Sequence, residues 1–81
     1  MAGTRPIEAL ANFVRLRRHE LGITQQELAT RSGVTRALVG HLEAGRLRVA
    51  PQFPNMKKLA IGLDVEFQVL IDILDSGELP Q

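Results

Sequence analysis

Residues 24–46, TQQELATRSGVTRALVGHLEAGR, constrain the chain more than any other stretch, because they encode two short helices separated by a glycine turn. Thr24 stands where a hydroxyl accepts from the free backbone N–H groups of a starting helix, and Glu27, three residues on, completes the reciprocal capping pattern. The helix so started runs to about Ser32. Gly33 follows where the chain must take a positive φ, which glycine adopts without steric cost. Thr35 caps a second helix that ends near Glu43, and Gly45 stops it in the same way. The inward residues of the pair are Leu28, Ala29, Val34, Val39 and Leu42, and Ala29 is small enough to let two helices cross closely. Outward on the second helix lie Arg36, Ala37, Gly40 and His41, with Thr35 at its first turn.

Two short helices, a turn containing glycine and a polar outer face make the helix-turn-helix signature. The runs Gln25-Gln26-Glu27-Leu28-Ala29, Gly33-Val34-Thr35, Val39-Gly40, Leu42-Glu43 and Gly45 resemble those of the Cro and phage-repressor type of helix-turn-helix proteins. Val14-Arg15, Arg18, Gly22-Ile23-Thr24, Pro51, Phe53, Met56 and Leu59-Ala60 extend the likeness over most of the chain. The resemblance implies an all-α, five-helix, lambda-repressor-like DNA-binding domain. It also implies that Arg18 pairs with Glu43 while facing phosphate, and that Gln25 contacts the DNA backbone and supports the recognition helix. A physical reason for the pair exists, since Glu43 ends a helix, where a negative charge is unfavourable unless a cation answers it. The alternative is two solvated surface charges that contribute little.

Composition bounds the rest. At 81 residues the chain is expected to be one domain, 1–81, with a modest core that a partner would help to complete. It has no cysteine, which excludes disulfides, thiolate metal sites and thiol nucleophiles. No apolar run approaches the ~20 residues of a membrane span and no signal-peptide h-region is seen, so a cytoplasmic protein without membrane contact is expected. The net charge of +1 hides an asymmetry: through Lys58 ten basic and four acidic residues leave +6, and beyond it five acids leave −5. The basic part contains the helix pair, as expected of a face that meets nucleic acid while the acidic part stays away from phosphate.

In chain order, residues 1–6 read as a loose end, in which Arg5 could touch DNA. Ile7, Leu10, Val14 and Leu21, with Phe13 beside them, place a helix over 7–21 that carries Arg15, Arg17 and Arg18 on its other faces and stops at Gly22. Ile23 precedes the Thr24 cap and can staple onto Leu28. The segment Arg46-Leu47-Arg48-Val49-Ala50 is about two residues longer than the family pattern; its arginines suit phosphate while the aliphatics pack down. Pro51 to Pro54 lead into a helix with Phe53, Met56, Leu59, Ala60 and Leu63 as its buried stripe and Lys57 and Lys58 on its solvated face. The acidic, apolar tail at 64–81 fits two patterns. Val65, Phe67 and Val69 alternate like a short strand, and Phe67, Leu70, Ile71 and Leu74 share one helical face; the helix is preferred because the pattern outlasts a usual strand. The strand matters because HipB-like antitoxins, which the chain also resembles, pair this segment across a dimer. More large aliphatics sit here than a small monomer can bury, which points to a two-fold interface through Phe67, Leu70, Ile71 and Leu74.

Reading the major groove takes side chains at the start of the second helix and one turn on, so Thr35, Arg36, Ala37, Leu38 and His41 are the candidate base contacts. Arg36 can donate twice to guanine O6 and N7, or else bind phosphate; Ala37 or Leu38 can meet a thymine methyl, although Leu38 can equally flank the core. Gly40 implies close approach of DNA or of the neighbouring helix. Candidate phosphate contacts are Gln25, Arg15, Arg18, Arg46 and Arg48. No metal site or cofactor is indicated, and His19 and His41 lie on separate faces with no nucleophile–base set, so an enzyme is not expected. The expectation is a transcriptional regulator that binds double-stranded DNA as a homodimer on a palindromic operator. Restriction-modification controller proteins resemble this size and plan, as do antitoxins. The alternative is an antitoxin or interaction module whose tail neutralises a protein partner, either a toxin or part of the transcription machinery.

Overall fold

The computed structural model describes residues 5–79 as five helices in the order α1 (Pro6–Leu21), α2 (Gln25–Ser32), α3 (Arg36–Glu43), α4 (Phe53–Gly62) and α5 (Phe67–Ser76). The expected all-α, five-helix plan is the one observed. Residues 1–4 of the expected loose end lie outside the described residues. Pro6 belongs to α1 rather than to that end: its fixed φ suits the first helical position, and Arg5 before it is extended and pairs with Glu8 at 2.9 Å. In the tail the helix forms and the short strand does not. Leu70 and Ile73, three residues apart, both point into the core, a spacing only a helix can deliver to one face.

All five helices contribute to one core. Its fully buried side chains are Leu10 and Val14 from α1, Leu28 from α2, Val39 and Leu42 from α3, Leu59 from α4 with Leu63 just after it, and Leu70 and Ile73 from α5. Each such burial contributes roughly 1.5–3 kcal/mol before chain entropy is set against it. Phe53, expected in the buried stripe of α4, is instead 58% exposed. At the first position of α4 it overhangs the end of the stripe, and it packs edge-to-face on Phe67 with ring centroids 4.9 Å apart. Lys57 Nζ lies 5.2 Å from the Phe53 centroid, so this lysine is partly a cation over an aromatic pair rather than a freely solvated charge.

Two local devices lock the frame that carries α2 and α3. A Cβ added at Gly62 would overlap Ser32 Oγ and lie 3.1 Å from the Ser32 backbone nitrogen, so glycine is what lets the end of α4 meet the end of α2. Ala29 is buried as expected, and a further close approach lies here, between α2 and α4. Arg17 is the second device. Its Nε donates to Leu63 O at 2.9 Å and its Nη2 to Asp64 O at 3.3 Å, which ties the α4–α5 junction to α1. Asp64 takes the left-handed conformation there (φ 55°) in a role usually filled by glycine.

Gly62→Ala is therefore expected to destabilise the fold by about 1–3 kcal/mol, the usual cost of overpacking. Ser32 Oγ is buried with no hydrogen-bond partner, so Ser32→Ala is expected to cost nothing and to recover part of the Gly62→Ala loss. Urea denaturation of the two single variants and the double variant measures both effects.

Candidate nucleic-acid interface

The α2–turn–α3 unit is built by its caps. Glu27 N–H donates to Thr24 Oγ1 at 3.0 Å and Thr24 N–H donates back to Glu27 Oε1 at 2.9 Å, which closes the capping box. The donation from the Thr24 backbone, followed by that from its hydroxyl, holds the Glu27 carboxyl below the ordinary carboxylate range. Gly33 ends α2 at φ 74°, and Leu38 N–H donates to Thr35 Oγ1 at 3.1 Å to start α3. These bonds turn the chain sharply and place the first turn of α3 at the surface.

The other end of α3 is held from α1. Arg18 grips the Glu43 carboxylate with two parallel bonds, Nε to Oε2 at 2.7 Å and Nη2 to Oε1 at 2.8 Å, while its Nη1 donates to Ile23 O at 2.9 Å. The side chains are 12% and 4% exposed, so this is a buried pair and not two solvated charges. Burial alone would raise the Glu43 pKa, but the bonds from Arg18 and Gln25 and the arginine charge outweigh it and hold the carboxyl below its usual value. The same hydrogen bond raises the Arg18 pKa further. Gln25 Nε2 donates to Glu43 Oε1 at 3.2 Å, so one carboxylate joins α1, α2 and α3. Arg15 also turns to this corner, donating to Asn12 Oδ1 at 2.8 Å and to Glu43 O at 3.4 Å.

The expected site residues therefore separate into groups. Thr35, Arg36, Ala37 and His41 are exposed together along α3, while Leu38 and Gly40 are half-buried among them. Leu38 lines a shallow groove with Gly33, Val34, Thr35 and Asn55, so it both flanks the core and borders the surface. Arg46 and Arg48 are exposed on the segment after α3, but Val49 does not pack down beside them: it is 75% exposed. Arg18 is mostly covered at the edge of this surface, its side chain 12% exposed, and donates to Glu43 and Ile23. In the tail, Leu70 is fully buried in the chain's own core and offers nothing to a partner, whereas Phe67, Ile71 and Leu74 are half-buried against that core. Sequence reasoning missed Arg17 as a staple, although its three-residue step from buried Val14 signals an inward lean. It also missed Ile61, 72% exposed on the Phe53–Lys57 side of α4.

Residues 14–70 match the helix-turn-helix family. An uncharacterized helix-turn-helix-type transcriptional regulator of Methanothermobacter thermautotrophicus is 41% identical over 66 residues, covering 82% of this chain and 93% of that protein. Among solved structures, the restriction-modification controller protein C.AhdI from Aeromonas hydrophila is 34% identical with a TM-score of 0.69, covering 79% of this chain and 94% of that one. A point variant of the controller protein C.Esp1396I superposes with a TM-score of 0.74 over 94% of both chains at 20% identity, a likeness of fold.

Because Glu43 carries a lowered pKa, its contribution to stability is present above the unfolded carboxylate value, about 4.3, and is lost as pH falls through the folded value below that. Glu43→Gln removes the charge that answers buried Arg18, and should cost about 3 kcal/mol at neutral pH. The difference from wild type should shrink as the pH is lowered past 4 or so. Urea titrations at a series of pH values read both, and a gap that stays constant to low pH would show that the pair is not what Glu43 contributes.

Proposed function

The chain belongs to the helix-turn-helix family, and on that footing we propose that it is a transcriptional regulator that binds double-stranded DNA in a sequence-specific manner, as a homodimer on a palindromic operator. The observation that carries the reading is the exposed row Thr35, Arg36, Ala37 and His41 on a helix whose C-terminal end is clamped by Arg18 and Gln25 through Glu43. A reading helix must keep its outer side chains free and its axis fixed, and α3 does both. Arg36, at the first helical position, donates to guanine O6 and N7; Ala37 meets a thymine methyl; His41 reaches a base or phosphate one turn on. Arg46 and Arg48, with the first-turn N–H groups of α2 beside Gln25, take phosphate. Arg15, exposed beside the end of α3, takes phosphate as well, while Arg18 holds Glu43 and with it the placement of α3.

Dimerisation rests on the apolar surface of α4 and α5. Phe53 and Ile61 stand exposed on α4, Phe53 packs on half-buried Phe67 of α5, and Ile71 and Leu74 of α5 are half-buried as well. A two-fold contact there would cover side chains that one copy leaves in water. Two copies would then present α3 to half-sites about one helical turn, roughly 34 Å, apart. Because α5 is helical, the antitoxin-like dimer through paired strands has no strand to build on among the described residues.

Selection from a randomised duplex pool should yield a palindrome, and Arg36→Ala should relax one position per half-site at a cost of about 1–3 kcal/mol. Arg48→Ala should weaken binding evenly across sequences and lower the salt slope by about one per copy. Ile61→Glu is expected to keep the helical spectrum while sedimenting as a monomer with weakened operator binding. Sequence-blind binding in wild type would refute the regulator reading. A wild type that sediments as a monomer would refute the dimer.

A further inference from the structure

Gly40 is the one residue on the outer side of α3 that the fold does not explain. It has helical φ and ψ in the interior of an eight-residue helix, where glycine is less stable than alanine. No backbone crowds it: a Cβ built there would meet only Arg36 Nη1 and Gln25 Oε1, each at 3.7 Å, an ordinary contact distance. The neighbouring helix therefore does not demand a glycine. What lies over the bare helix surface is the tip of an arginine from one turn earlier and the carboxamide oxygen of a glutamine from α2.

The glutamine is not free to turn. Its Nε2 donates to Glu43 Oε1, and that carboxylate is itself held by Arg18, so the opposite end of the amide, Oε1, is aimed over Gly40. The Gln25 acceptor and the tip of Arg36 thus border the same bare surface, each 3.7 Å from where a Cβ would stand. Long side chains pay rotamer entropy when they are ordered on binding, and one that is already seated pays less.

We propose that Gly40 is a specificity-determining position: its bare surface is a seat for the tip of Arg36, bordered by Gln25 Oε1, so that Arg36 meets DNA from a set pose. This deepens the DNA-reading assignment and rests on it for its consequence, but the seat itself is a property of the free protein. A methyl group fits the seat, since Cβ contacts are at 3.7 Å, whereas any side chain extending past Cβ occupies the space of the guanidinium.

The test begins without DNA. In the heteronuclear NOE of the arginine Nε–H groups, Arg36 of wild type should be restrained, closer to the clamped Arg18 than to the exposed loop Arg48. Gly40→Ala should keep that value and raise the melting temperature. Gly40→Gln, a good helix former at an accessible position, should drop Arg36 to the value of Arg48 while the backbone amide spectrum persists, and Gln25→Ala should do the same by removing the acceptor. In duplex selection, Gly40→Gln should then lose the same base preference as Arg36→Ala, while Gly40→Ala retains it. An Arg36 as mobile as Arg48 in wild type, or unchanged in Gly40→Gln, overturns the seat. If wild type selects no sequence at all, the DNA reading has failed and the specificity role falls with it, whatever the NOE shows of the seat.

Discussion

The placement of α3 depends on one buried carboxylate. Glu43 stands at the negative end of its helix and almost out of water, the least favourable setting for an anion unless it is answered. Arg18 answers it with a two-bond fork from α1 and Gln25 adds a donor from α2, so the charge that would disrupt an isolated helix becomes the tie among three. The tie matters because α3 has eight residues, fewer than the ~12–15 at which a helix persists alone in water. Its shape is therefore borrowed: from the Thr35 cap at one end, from Arg18 at the other, and from burial of Val39 and Leu42 between them.

That dependence gives α1 a different character from the one its composition suggests. Three arginines within four residues look like a basic face, yet Arg17 and Arg18 turn to internal tasks and Arg15 alone stays exposed. Arg18 holds α3, Arg17 holds the α4–α5 junction through Leu63 O and Asp64 O, and Arg15 leans on Asn12 and the last carbonyl of α3. The guanidinium fork suits this work, because its several donors satisfy carbonyls that helix ends leave open. Charge counting along the chain thus overstates the positive surface near α1.

What was legible in the sequence was whatever local rules decide. The Thr24–Glu27 box, the Gly33 and Gly45 turns and the Thr35 cap each follow from a few neighbouring residues and are found where they were expected. The Arg18–Glu43 pair was legible only through family likeness, since 25 residues separate its members. Features set by helix crossings were not legible. Phe53 fits the apolar spacing of α4 but overhangs its end, and Leu70 fits an interface stripe but is swallowed by the core. No spacing rule says that Gly62 must lie on Ser32, because that contact depends on the angle at which α4 crosses α2.

The commitment of Arg18 to Glu43 also bears on why one copy is too little for the proposed task. Beyond Arg36, the exposed arginines beside α3 that could meet phosphate are Arg15, Arg46 and Arg48. Each neutralised phosphate contributes a salt-dependent slope of only about 0.9, so a single copy gains little from counterion release. As a reading helix, α3 would offer a handful of base contacts at roughly 1–3 kcal/mol of discrimination apiece. Specific regulators work some 10³–10⁷-fold above their own non-specific binding, about 4–10 kcal/mol, which two or three such contacts barely reach. Doubling the reading helix and its flanking cations through a two-fold axis reaches that range without enlarging the domain. The exposed Phe53 and Ile61 on α4 are the apolar surface that such an arrangement would cover.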